Sequence, residues 1–196
     1  TIQKNKDYNK SLVYSDVAIL DSGFFCILLR IFKKINFKKF SGYLFLYNFF
    51  RTNFIKNKKI LLIDPSLKEK IDNINYLRIN GFYYVESYIA PKYSLSNFRD
   101  KNILQKISKT KPQIIIINIG GGIQEPLAYY LKQNTKYKKL TIICTGAAIG
   151  FFTKNQAPIN LFFDKFYLGW LIRTWWRPKY FFPRIIDSIK LIKLFD

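Results

Sequence analysis

The chain has 196 residues, 49% of them hydrophobic, and its 33 Lys and Arg against 12 Asp and Glu give a formal net charge of +21 with no histidine. That length suits one α/β domain with a decorated end, and the charge either calls for an anionic partner (nucleic acid, an anionic membrane surface, phosphorylated substrates) or is drift in a Lys-rich composition. The missing histidine excludes imidazole catalysis and most zinc sites, the absence of any Asp-x-Asp pair removes the usual metal-diphosphate clamp, and no apolar run approaches the roughly 18 residues of a spanning helix.

Thr1 to Lys10 is polar, without a signal-peptide pattern, and reads as helical or frayed. Val17 to Leu20 is a short apolar run ending in Asp21-Ser22-Gly23, which predicts a strand and a turn. Phe24 to Phe32 suits a buried helix, Lys33 to Lys39 interrupts it, and the aromatic stretch Gly42 to Phe54 suits a second. Lys59 to Ile63 predicts a strand ending at Asp64-Pro65-Ser66. Ser66 is placed to cap a helix over Leu67 to Asn80 that Gly81 ends. Phe82 to Tyr88 is a further strand, Ala90 to Asn97 a loop, and Asn102 to Lys109 an amphipathic helix.

Pro112 to Gly150 is the centre of the pattern. Ile114 to Ile117 is a β-branched run apolar on both faces, the mark of a parallel strand buried on both sides. It ends in Gly120-Gly121-Gly122, with Gln124 and Glu125 next and a helix from Pro126 to Gln133. Leu140 to Cys144 reads as a second buried strand, ending in Gly146-Ala147-Ala148. Strand and helix thus alternate from Val17 to Gly150, which means a mostly parallel sheet with helices on both faces. Ligands bind such sheets outside the carboxyl ends of the strands. Cys26 and Cys144 lie among apolar residues and read as small core residues.

From Ala157 the composition shifts to Phe, Tyr, Trp, Lys and Arg, and all three tryptophans lie within Trp170 to Trp176. The chain therefore divides into a domain over 1–156 and an appendage over 157–196. Pro178 and Pro183 break the appendage into short pieces, the last of which puts Ile185, Ile186, Ile189 and Ile192 on one helical face, with Arg184, Lys190 and Lys193 elsewhere. Such a segment suits a membrane interface. A helix packed on the core, or a stacking surface for single-stranded nucleic acid, has the same composition.

Carboxylates are scarce, so Asp21, Asp64 and Glu125, each after an apolar run, stand out at the ligand edge. Asp21 beside Gly23 suits a general base, and equally an ordinary turn. Gly120 to Gly122 would let a diphosphate approach the amides that open the next helix. It is neither a Walker loop nor a dinucleotide fingerprint.

The order Asp21-Ser22-Gly23, strand, glycines, Gln124-Glu125, Gly146-Ala147, Gln156-Ala157-Pro158, Trp170-Leu171-x-Arg173 and Pro178 resembles the WecG/TagA/CpsF glycosyltransferase family, from about Asp16 to Arg184. The resemblance implies a Rossmann-like α/β enzyme with a basic, aromatic, helical C-terminal appendage. It would transfer an N-acetylhexosamine, typically N-acetylmannosamine, from a UDP-sugar to a polyprenyl-diphosphate-linked sugar in bacterial surface-polysaccharide synthesis. The mechanism would be inverting, with no metal and no cofactor. Asp21 would be the general base. Gly120, Gly121, Gly122, Gln124, Glu125 and Gly146 would bind the donor, and Arg173 and Arg184 the acceptor diphosphate. The appendage would lie on the inner face of the cell membrane and close over the site of its own chain or a neighbour's in an oligomer, and nucleic acid would be no partner. The alternatives are a relative without activity that binds lipid-linked sugar or a partner enzyme and, last, a basic nucleic-acid-binding module resting on charge and aromatics alone.

The chain departs from the family pattern in places. Gly122-Ile123 stands for Pro-Lys, Gln156 for the Arg of Arg-Ala-Pro, Gly150 for the Asp of a Phe-Asp turn, Asp64-Pro65-Ser66 for a Gly-Gly turn, and Tyr180 for one tail arginine. A strand with a Thr/Asn motif expected ahead of Asp16 is not in the sequence, which therefore reads as shortened at its N-terminus.

Overall fold

A computed structural model of the chain describes residues 5–137 and 139–192, with side chains to residue 189. Expectations for residues 1–4, for Lys193 and beyond, and for the side chains of Lys190 and Ile192 lie outside the described residues. In chain order the elements are α1 (Lys6–Val13), α2 (Gly23–Lys33), α3 (Gly42–Arg51), α4 (Asn53–Lys56), β1 (Ile60–Asp64), α5 (Leu67–Ile79), β2 (Val85–Ile89), α6 (Lys101–Thr110), β3 (Ile114–Ile117), α7 (Gln124–Asn134), β4 (Thr141–Cys144), a 3₁₀ helix (Gly146–Phe151), α8 (Leu161–Lys165), α9 (Gly169–Trp176) and α10 (Pro178–Ile192). The chain forms two compact units. One takes in the residues up to Ala18 together with Asn48–Asn155; the other takes in Ile19–Tyr47 and the residues from Gln156 onward.

The first unit holds an all-parallel sheet in the order β2-β1-β3-β4. The central strands β1 and β3 are buried along their whole length, as their unbroken apolar runs require. Leu61, Ile63, Ile115 and Ile117 face Ile103 and Ile107 of α6 and Leu127 and Leu131 of α7 in one core cluster. On the other face α5 covers β1 and β2. There the Phe50 ring lies edge-on to Phe82 and Phe152, with centroids 5.8 and 5.5 Å away. Helices on both faces of a parallel sheet make this a Rossmann-like α/β fold. Because β2 and β3 flank β1 on opposite sides, the chain's direction of winding reverses between β1 and β3, where such folds open a crevice beyond the strand ends.

Local signals behave as expected. Ser66 Oγ accepts the Glu69 amide at 3.2 Å and starts α5. Gly81 follows that helix at φ +86°, in the left-handed region that favours glycine. Asp100, which sequence reading did not single out, caps α6 in the same way, its Oδ1 accepting the Asn102 amide at 2.8 Å. Pro126 falls in the first turn of α7, where its missing N–H breaks no helical bond.

Four expectations about the elements and the core fail. Leu140 to Cys144 contains an edge strand: among the described residues β4 pairs only with β3, and Thr141 and Cys144 are exposed. Cys144 is thus no core residue, although its Sγ turns towards the Gln124 carbonyl at 3.6 Å, whereas Cys26 is buried as expected. Val17 to Leu20 forms no strand and runs as irregular chain, with Val17 79% and Ile19 45% exposed. Four apolar residues carry β-propensity but do not supply a neighbouring strand to pair with. Finally, Pro183 does not break the tail, because α10 runs continuously from Pro178 to Ile192 with Pro183 inside it. Pro178 opens the helix, where no amide donor is needed, and packing of α10 on α2 and α9 holds it through the missing bond at Pro183.

Candidate active site

In the first unit, one polar network ties the strand ends together. Asp64, at the end of β1, has no exposed surface. Its Oδ1 accepts Nδ2 of Asn73 and of Asn118, each at 2.7 Å, and its Oδ2 accepts Ser87 Oγ at 2.5 Å. Asn118 follows β3, and its Oδ1 accepts Thr145 Oγ1, just past β4, at 3.1 Å. Asn73 Oδ1 accepts Thr153 Oγ1 at 3.3 Å. Burial pushes the Asp64 carboxyl above the usual carboxylate range, against the pull of its three donors. Asp64 therefore does not reach the surface where a ligand would lie: both of its oxygens are engaged in holding the sheet edge together.

The glycine turn lies beyond that network. Gly120 and Gly121 are exposed, and a Cβ at Gly120 would meet nothing within 4 Å. Gly122 sits at φ +90° and its amide donates to Glu125 Oε2 at 2.7 Å. Gln124 is buried; its Oε1 accepts the Gly146 amide at 2.8 Å and its Nε2 donates to Glu125 Oε1 at 3.0 Å. Gly146 itself is at φ +56°. The six residues expected to bind a donor thus lie together at one sheet edge, on the turn after β3, in the first turn of α7 and at the start of the 3₁₀ helix after β4. Gln124 and Glu125 shape those loops, while Gly120 and Gly121 present open backbone.

In the second unit, a cavity of about 320 Å³ is lined by Asp21, Trp170, Arg173 and Arg184 among others. The catalytic candidate and the two diphosphate-binding candidates, far apart in sequence, therefore share one cavity. Asp21 is exposed in the turn before α2. Ser22 Oγ accepts the Phe25 amide at 3.2 Å and fixes that turn as the helix cap. A Cβ at Gly23 would lie 3.1 Å from the Tyr167 carbonyl oxygen, so α2 begins in close contact with that backbone. Burial pushes the Arg173 guanidinium below arginine's ordinary value; Asp21 opposes that fall and Arg184 adds to it. The three charges are therefore within electrostatic reach of one another.

Sequence reading missed the rest of the wall. Lys39 Nζ reaches Asp164 Oδ1 at 2.5 Å and the Asp164 carbonyl at 2.8 Å, with the two side chains only 6% and 10% exposed. The Lys39 amide donates to Tyr167 Oη at 3.2 Å, and Tyr167 holds φ +63°. The available signal was Asp164 itself, a carboxylate set in the aromatic run Leu161-Phe162-Phe163. Among the described residues no group of three His, Cys, Asp or Glu side chains could hold a metal ion, and no helix is long and apolar enough to cross a membrane.

Fold and sites together define an α/β protein with an open sheet edge and a charged cavity. The sequence profile of the Glycosyl transferase WecG/TagA/CpsF family matches residues 1–195. The chain belongs to that family, and it is a glycosyltransferase of the kind that builds cell-surface polysaccharides. No curated protein matches it.

Proposed function

We propose that the protein moves an N-acetylhexosamine, of the N-acetylmannosamine type, from a UDP-sugar to a polyprenyl-diphosphate-linked acceptor, with inversion and without a metal. Asp21 takes the proton of the acceptor hydroxyl as that oxygen attacks the anomeric carbon and UDP leaves. Arg173 and Arg184 hold the acceptor diphosphate, where a guanidinium can make two parallel bonds. Gly120, Gly121, Gly122 and Gly146 give the donor's phosphates close access to backbone, and Gln124 and Glu125 set the shape of those loops. The protein works in the cytoplasm, peripherally on the inner face of the cell membrane; its +21 charge and the exposed Trp175, Tyr180 and Phe182 favour that surface.

The observation that carries this reading is a lone exposed carboxylate, Asp21, sharing a cavity with Arg173 and Arg184. The test is Asp21→Asn assayed with UDP-N-acetylhexosamines and a polyprenyl-diphosphate-GlcNAc analogue, with and without EDTA. The variant is expected to lose transfer and keep UDP binding by calorimetry, while the wild type keeps its activity in EDTA. Transfer by the variant at the wild-type rate would sink the base assignment. Wild-type UDP binding without transfer to any acceptor would instead support a binding relative.

A further inference from the structure

The indole N–H of Trp170 stands out among the described residues as a buried donor. Trp170 is the second residue of α9, and its ring packs on Phe24 with centroids 4.8 Å apart. Its Nε1 is buried and, among the described residues, has no hydrogen-bond partner. An indole N–H can only donate, and folded proteins rarely leave such a group buried and unmatched. Yet this one belongs to a residue that lines the same cavity as Arg173 and Arg184.

The other polar groups of that wall narrow what could match it. Asp164 is taken by Lys39. The hydroxyls of Thr174 and Ser188 donate to the carbonyls of Trp170 and Arg184, at 2.7 and 2.9 Å, and neither oxygen accepts from the indole. The Ser22 hydroxyl is engaged as the α2 cap. Guanidinium groups, like the indole, accept nothing. Apart from Asp21, which the reading above assigns to the acceptor hydroxyl, the charged groups that Arg173 and Arg184 bring to the cavity are donors, which suits a ligand carrying several acceptor oxygens.

We propose that the Trp170 N–H is a substrate-binding group that donates to a diphosphate oxygen alongside Arg173 and Arg184. This deepens the reading above and rests on it. A neutral donor has a physical advantage here. A third cation would add to the repulsion that already disfavours the charged form of the desolvated Arg173, whereas an N–H adds a bond without adding charge. It also contributes binding that salt does not screen.

The experiment uses the full chain with Trp170→Phe, which keeps a ring against Phe24 and deletes the N–H. A second form carries β-(3-benzothienyl)alanine at position 170, where sulfur replaces the N–H in a ring of the same outline. Affinities are read for inorganic pyrophosphate, for UDP and for a polyprenyl-diphosphate-GlcNAc analogue. Both forms are expected to lose about tenfold in affinity for diphosphate ligands, with a Tm no lower than wild type. The arm that falls further, UDP or lipid diphosphate, names the substrate whose diphosphate occupies the cavity. Unchanged affinity for all three ligands in the benzothienyl form overturns the proposal. Arg173→Lys and Arg184→Lys, run in parallel, separate the two failures. If they lose diphosphate affinity while the indole variants do not, only this inference falls; if they too change nothing, the diphosphate reading of the cavity falls with it.

Discussion

Gln124 Oε1 accepts the Gly146 amide at 2.8 Å, so one side chain spans the loops that follow β3 and β4. Its Nε2 is engaged with Glu125 as well. Gln124→Leu leaves a backbone donor unmatched beside a buried site and is expected to cost about 1–3 kcal/mol. Urea unfolding measures that loss. Gln124→Glu keeps an acceptor for Gly146 but sets a second carboxylate against Glu125. Its deficit against wild type should therefore grow as pH rises through the carboxylate range, the opposite of what simple loss of packing would give.

Gly120 and Gly122 separate ligand access from backbone need. Gly122 sits at φ +90°, so Gly122→Ala is expected to destabilise by about 1–2 kcal/mol. Gly120 has neither a positive φ nor any atom within 4 Å of the place a Cβ would take. Gly120→Ala should change stability by less than about 0.5 kcal/mol and yet weaken UDP binding severalfold by calorimetry. Unchanged UDP affinity would remove Gly120 from the donor site.

Asp64 makes stability depend on pH in a defined direction. Its folded carboxyl titrates above an unfolded value of about 3.9. Between those values the folded state holds the extra proton, so the group's contribution is full below the unfolded value and falls as pH rises through the folded one. Asp64→Asn removes that titration. The urea midpoint of wild type minus that of the variant should therefore decline from pH 4 to pH 7, and a flat difference would refute the upward shift.

Lys39 and Asp164 form a buried pair on the cavity wall. Removing one partner strands the other charge, and Lys39→Met is expected to cost about 3–5 kcal/mol. The double change Lys39→Met with Asp164→Leu should recover most of that, as thermal melts would show. If the single and double changes cost the same, the pair contributes no coupling.

Membrane attachment is best tested with point changes, because residues from Gln156 onward share a unit with Ile19–Tyr47 and include Arg173 and Arg184. Trp175 is 86% exposed and Phe182 58%. Replacing both with Ser is expected to lower partitioning onto phosphatidylglycerol vesicles roughly tenfold, with Tm little changed. Equal sedimentation of variant and wild type with those vesicles would count against the peripheral reading.

The central sheet was legible because burial on both faces leaves unbroken runs, Ile60 to Ile63 and Ile114 to Ile117, that fit little else. Caps were legible because Ser66 and Gly81 act within three residues of themselves. The run from Val17 to Leu20 misled because propensity is local, whereas a strand needs a partner. Asp64 looked like a ligand-facing carboxylate because an Asp at a strand end reads alike whether water or three side-chain donors surround it. The Lys39–Asp164 pair spans 125 positions, and no short window of sequence contains both ends. Arg173 and Arg184 became candidates only through the order of weak motifs along most of the chain, whereas Asp21 also stood out as one of few carboxylates.

The Asp64 network also constrains how this sheet edge can vary. Ser87, Asp64, Asn118 and Thr145 each come from a different strand or its end, yet each one's acceptor or donor is a neighbour in the same set. Replacing any one of them by a residue that cannot hydrogen-bond leaves a neighbour with an unmatched group. A change at one strand end is therefore felt at the others, so the four ends act as a single mechanical unit of the fold rather than as four separate positions.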